Sequence, residues 1–369
     1  MKNYLLTLLM TTTCLLGVYA QNLQEEQLDS IPQSMEVVKE SRCIGVSPTL
    51  SQPLFTGNYW EATFALMQLQ EDSVSRKVLL QQLPHLGLTL PLFSLEHHEK
   101  LMNWLPLLEK EYRYWMEGMG QFPKDKVSFK RLVRMPDGSI LNRYWENVEQ
   151  EGKHYIEGEL DSIQNERAMQ LSGWHSQGRW TDEQDETERL EISRLVPVDL
   201  NCLLYVMEKT LATLYWHQKS YEKAKYLQGL AKKRRRAINV YCWNKVAKIY
   251  SDFHIDKQYP VNRFTAATIF PLVAQIANET RATQIAKHLR NHFIGSTGIK
   301  TNLKQEGEPL PFEWPPIQYF SVIGLNNYRF YFLSKQIEHN WSQSVVKYQE
   351  SEMLSPIAQQ VLSTFQKKQ

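Results

Sequence analysis

Arg194-Leu195-Val196-Pro197-Val198-Asp199-Leu200-Asn201-Cys202-Leu203-Leu204-Tyr205-Val206-Met207-Glu208-Lys209 is the stretch on which the fold turns. From Leu203 through Leu204, Met207, Leu211, Leu214 and Tyr215, apolar residues recur three and four apart, the spacing of a helix face turned to a core. Asp199 and Asn201 stand just ahead and are expected to cap that helix, because short polar side chains accept from the free amides of a first turn.

The same stripe recurs on both sides of this stretch. Leu101, Trp104, Leu105, Leu108, Tyr112 and Trp115 form another helical face. Further helices are expected at Tyr59 to Gln70, Tyr221 to Tyr241, Ala266 to Asn278, Arg281 to Phe293, Ile317 to Asn340 and Ser355 to Gln366. Met135-Pro136-Asp137-Gly138-Ser139 reads as a turn. The connectors are rich in aromatic and charged residues, and no solenoid repeat or Pro/Ser linker interrupts the pattern. The expected class is all-α: apolar helix faces turned inward, with aromatic loops gathered at the mouth of a helical toroid.

Composition narrows the function. The chain has 369 residues, 42% hydrophobic and 11% aromatic, enough for a large core. Lys+Arg 42 against Asp+Glu 40 leaves a net charge of +2, so bulk charge points to no nucleic-acid partner. The basic run Lys232 to Arg236 lies on a predicted amphipathic helix and is read as a solvated face. Lys2 followed by the apolar run Leu5 to Val18, with Val18-Tyr19-Ala20 before a polar stretch, has the form of an export signal. That run is too short for a transmembrane anchor. The expected organisation is a signal peptide at 1–20, a polar leader at 21–45 and one helical domain at 46–369, exported to the periplasm or medium. Removal of the signal leaves Cys43, Cys202 and Cys242, room for at most one intramolecular bridge. His97-His98 and the pair His288 and His292 lack accompanying carboxylates or thiols, so neither a metal nor any other cofactor is expected.

Six ordered blocks carry a resemblance: Leu105 to Gly118, Asp137 to Asn147, Ser172 to Trp180, Arg194 to Lys209, Phe264 to Leu272 and Trp314 to Tyr328. In order and spacing they resemble the trehalases of glycoside hydrolase family 37, over about residues 50 to 355. The most specific block, Arg194 to Lys209, is similar to the family's S-I-V-P-V-D-L-N segment. The resemblance implies an (α/α)6 barrel of the six-hairpin glycosidase type, shortened here in its N-terminal half, and descent from an inverting hydrolase of α,α-trehalose.

Such a reaction needs one carboxylic acid to protonate the glycosidic oxygen. A carboxylate roughly 6.5 to 9.5 Å away must deprotonate a water on the opposite face of the sugar. The family's acid is the Asp of S-G-W-D-F-S-S-R-W; here Ser172-Gly173-Trp174-His175 places His175 there. The family's base is the Glu of L-V-E-K-Y, and here Leu354-Ser355-Pro356 brings a proline to that position. Glu352, or Glu350, replaces it only through a shift of register. The family's glycine-rich lid would follow, and the sequence reaches Gln369 without it.

The sugar clamps of the family are altered too. Tyr59 and Trp60 persist, Glu61 replaces an Asp, and Pro53 stands where an arginine belongs. Glu151 to Tyr155 replaces an R-P-E-S segment. Trp60, Glu61, Gly173, Trp174, Arg179 and Trp314 remain the candidates for contact with a small carbohydrate such as trehalose. Trp174, Arg179, Trp180 and Trp314 would form an aromatic floor for a ring. Asn142, Arg143, Tyr144 and Trp145 read equally as a pocket lining or as packing. The expected function is that of an exported trehalase-like protein whose catalytic pair is lost. Two alternatives stand beside it: an active glycosidase with His175 as acid, and a protein-interaction module on the same scaffold.

Overall fold

In the computed structural model, residues 102–148, 157–174, 179–181, 190–301, 315–349 and 356–366 are described, all of them within the unit Gly57–Gln369. In chain order the helices are α1 (Leu105–Trp115), α2 (Glu157–Ser172), α3 (Val198–His217), α4 (Tyr221–Tyr241), α5 (Phe270–Val273), α6 (Glu279–His292), α7 (Pro315–Asn327), α8 (Tyr331–Gln349) and α9 (Pro356–Gln366). Strands are short: β1 (Ser128–Phe129), β2 (Leu132–Arg134), β3 (Ile140–Asn142), β4 (Leu195–Val196), β5 (Trp243–Asn244), β6 (Ile249–Tyr250), β7 (Phe253–His254), β8 (Tyr259–Pro260), β9 (Ile294–Gly295) and β10 (Gly298–Ile299). All pair antiparallel, in the sheets β1-β2-β3, β4-β7-β8, β5-β6 and β9-β10. The expected all-α class is what the chain adopts, with small ribbons at the helix ends.

Helix α3 occupies the middle of this architecture. Its residues are buried almost all round, from Val198 to Tyr215, as befits a helix apolar on every face. It pairs with α4 as a hairpin and packs against α1 and α5. The second hairpin, α7 with α8, packs α7 onto α5 and α9 onto both its helices. Leu200, Leu203, Leu204, Met207, Phe270, Leu272, Phe320 and Leu325 are all fully enclosed. At about 1.5–3 kcal/mol for each such side chain, their burial dominates the stability of the assembly.

Several expectations need correcting. The residue capping α3 is Pro197, with no side-chain cap; Asp199 lies inside the first turn and Asn201 donates back to the Pro197 carbonyl at 2.8 Å. The span Ala266 to Asn278 is not one helix. Thr265 caps a single 3-10 turn at Ala266–Ile269, Phe270–Val273 is a short α-helix, and Asn278 caps α6 by accepting from the Arg281 amide at 2.9 Å. The span Ile317 to Asn340 is two helices, parted where Arg329 takes φ 64°. Helix α2 was not anticipated: its apolar residues follow no helical stripe. Nor is Lys232 to Arg236 wholly solvated, since Arg234 is buried. Cys202 and Cys242 are both free and buried, and burial pushes both thiols up from their ordinary value. The expected helix at Tyr59 to Gln70, the shortening of the N-terminal half, and Cys43 lie outside the described residues.

Candidate functional site

The Ser172 to Trp180 loop leaves the end of α2. Gly173 takes φ 66°, the left-handed conformation that glycine adopts without a Cβ clash, and its amide donates to the Gln170 carbonyl at 3.2 Å. Ser172 donates to the Met169 carbonyl at 2.6 Å and accepts from the Trp174 amide at 3.0 Å. The helix thus stops and the chain turns inward at Trp174.

Trp174, Arg179 and Trp180 are buried, and they do not stand open to solvent. The Arg179 guanidinium lies between the two indoles, 4.2 Å from each ring centre. It donates to Asp199 from Nη1 at 3.0 Å and Nη2 at 2.7 Å, and to Asp252 from Nε at 3.0 Å and Nη2 at 2.9 Å. Burial alone would lower the Arg179 pKa, but the two carboxylates outweigh it and hold the group above its ordinary value. One cation between two anions leaves a surplus negative charge. The amino end of α3 answers it: Asp252 accepts from the Val198 amide at 2.9 Å, and Asp199 sits in that helix's first turn. The Trp174 indole N–H closes the set, donating to Asp199 at 2.6 Å.

Asp252, between β6 and β7, is the partner of the motif loop that sequence reasoning missed. It carries no local motif; only its meeting with Arg179 across the fold reveals it.

A second buried constellation lies further along α3. Arg234 of α4 donates to Glu208 from Nε at 3.0 Å and Nη2 at 2.9 Å, and to Asn142 and Asn201 at 2.9 Å each. Tyr112 donates to Glu208 at 3.2 Å; burial and that carboxylate raise its pKa well above the ordinary value. Asn142 also donates to the Trp115 carbonyl at 2.7 Å, and Tyr144 lies edge-on between Trp115 and Trp180. Arg143 is spent on the carbonyls of Lys130 and Ser193, at 2.9 and 2.8 Å. Asn142 to Tyr144 therefore read as packing: the side chains of Asn142 and Arg143 are hydrogen-bonded to protein groups, and the Tyr144 ring is buried between the two indoles.

Of the candidate sugar contacts, the structure brings together Gly173, Trp174 and Arg179 on one loop. His175, Glu350, Glu352, Trp60, Glu61 and Trp314 lie outside the described residues. Among the described residues there is no grouping of His, Cys, Asp and Glu suited to a metal ion.

These features define a class first: a fold of packed helical hairpins, with a motif loop pinned at both ends to its central helix. The profile of the trehalase family matches residues 81–355, and the chain belongs to that family. The periplasmic trehalase of Salmonella agona (strain SL483) is 32% identical over 247 residues, covering 63% of this chain and 43% of that protein. The periplasmic trehalase of Citrobacter koseri is similar to the same extent. This chain thus spans less than half the length of the curated relatives it matches. Among solved structures, neutral trehalase Nth1 from Saccharomyces cerevisiae superposes with a TM-score of 0.56 at 16% identity, covering 86% of this chain and 62% of that one. The likeness agrees with an (α/α)6 barrel.

Proposed function

We propose that this protein is an exported, catalytically degenerate member of the trehalase family that keeps the fold and binds a small carbohydrate without splitting it. The observation that carries the reading is Pro356, at the position matching the family's catalytic base. It is the first residue of α9. Proline there is favoured because a first-turn residue needs no amide proton, so the position now starts a helix. Proline has no atom that can take a proton from water, and without that step an inverting displacement does not proceed.

The acid position supports the same reading. An imidazolium can donate a proton, and its ordinary pKa near 6.5 suits the work, but its ring carries the proton at another distance and angle than a carboxyl does. The retained half of the motif has a separate explanation: Trp174, Arg179, Asp199 and Asp252 hydrogen-bond one another in a buried cluster. Export is supported by the N-terminal apolar run and by relatives that are periplasmic proteins. No helix among the described residues is long and apolar enough to cross a membrane.

The test is glucose release from trehalose by the purified protein, run beside a thermal shift with trehalose. The expected outcome is no release and a raised melting temperature, since a ligand of the folded state alone stabilises it by about 2.7 kcal/mol at a hundred times its Kd. Release that His175→Ala abolishes would establish an altered but active glycosidase. No release and no shift would leave an interaction module.

A further inference from the structure

The molecule's charge is nearly balanced, yet one helix face is not. On α4, Lys223, Lys225, Lys232, Lys233, Arg235 and Arg236 are exposed, and Glu222 is the helix's only acidic residue. The buried side of α4 is fixed by Ala224, Leu227, Ala231, Arg234, Ala237 and Ile238. Opposite that side, at helical spacing, Tyr221, Lys225, Lys232 and Arg236 form one outward ridge, with Lys233 and Arg235 on its shoulders. Its length from Tyr221 to Arg236 is roughly 22 Å. Glu222 pairs with Lys225 at 3.5 Å, and Asp137 is the acidic group beside Arg236. Lys232, Lys233, Arg235 and Arg236 make no ion pair with any described residue.

At the hairpin tip the same surface ends in exposed aromatic rings. Trp216 is 50% exposed, Tyr221 44% and Tyr226 66%. Trp216 and Tyr221 touch edge to face at 4.9 Å. Lys219 lies between them in sequence, and the Lys223 ammonium caps the Tyr215 ring at 4.9 Å.

We propose that this outer face of the α3–α4 hairpin docks on an anionic lipid bilayer. A row of cations on a straight ridge complements a plane of phosphate headgroups, and half-exposed Trp and Tyr rings are the side chains that settle at the boundary between headgroup and acyl chain. The basic ridge lies on the exposed side of one helix, and the Trp216 and Tyr221 rings at its end pack on each other. A single-stranded nucleic acid instead favours a groove lined by free stacking faces, so the bilayer is the better match.

Cosedimentation of the full chain with vesicles tests this. Binding to phosphatidylcholine mixed with phosphatidylglycerol, and none to phosphatidylcholine alone, is expected at low salt, weakening as salt shortens the screening length. The doubly substituted Lys232→Gln, Arg236→Gln protein, altered only at exposed positions, is expected to bind about thirtyfold less tightly with an unchanged melting temperature. Trp216→Ala is expected to remove the part of binding that survives high salt. Equal binding to neutral vesicles, no binding to anionic ones, or an unaffected double variant would overturn the proposal. So would tighter capture by an oligonucleotide than by the anionic vesicles.

Discussion

Arg179 holds two buried carboxylates. Replacing Arg179 with Met keeps the volume and removes the charge, so Asp199 and Asp252 are left facing each other unpaired. The expected loss is about 3–5 kcal/mol of unfolding free energy, read from urea titration, and a loss below 1 kcal/mol would contradict the pairing. The same physics separates neighbours in the run Lys232 to Arg236. Arg234→Ala strands Glu208 and is expected to cost about 3–5 kcal/mol, whereas Arg235→Ala, on the exposed side, is expected to change stability by no more than about 0.5 kcal/mol. His288 gives a pH signature. Partial burial against Phe264 and Phe293, and secondarily the neighbouring His292, lower its pKa to about 4. The unfolded chain, with its imidazole near 6.5, therefore binds the proton more readily. Stability is full above about pH 6.5 and falls as pH drops toward 4. His288→Gln should flatten that part of the melting-temperature profile; an unchanged slope would place the titration elsewhere.

Gly298, at the start of β10, takes φ 113°, and a Cβ there would stand 2.5 Å from the Gln318 Oε1 and 3.1 Å from Trp341. Gln318 is the clasp between α7 and β10: its carbonyl accepts from the Ile299 amide and its amide donates to the Ile299 carbonyl, each at 2.9 Å. Gly298→Ala strains the backbone and displaces the clasp together, so a loss of about 1–3 kcal/mol is expected, and Gln318→Leu in the same background should cost less than it does alone. Additive losses would show the clasp to be independent of the glycine. Elements were legible in the sequence to the degree that their own residues decided them. The bounds of α4 follow from its stripe. The break between α7 and α8 was hidden because no glycine or proline marks it. Arg329 adopts a left-handed φ there, and the turn is held by Asn327 donating to the Leu272 and Val273 carbonyls and Tyr328 to that of Ala277. Those partners are remote in sequence, as Asp252 is from Arg179, and no local pattern announces them.

At the scale of the whole molecule, catalysis by this fold would require two oxygen acids delivered by segments far apart in the chain, one from the loop after α2 and one from the approach to α9. On the proposed reading His175 and Pro356 stand at those two positions, each assigned from the motif around it. That Trp174, Arg179 and Trp180 are buried was not readable, since an arginine between two tryptophans looks the same in sequence whether it lines a cleft or a core. The proposed loss of both groups sets the last prediction. His175→Asp returns a carboxyl to the acid position and nothing to the base position, where Pro356 opens a helix. An acid alone can protonate the glycosidic oxygen, but the attacking water still has no group to take its proton, and inversion requires both events in one displacement. Glucose release from trehalose by the single variant is therefore expected to stay at the level of the parent. A substantial rate from that one change would mean that a carboxylate elsewhere, with Glu352 or Glu350 foremost, already serves as base, and the assignment of the vacancy to Pro356 would be wrong.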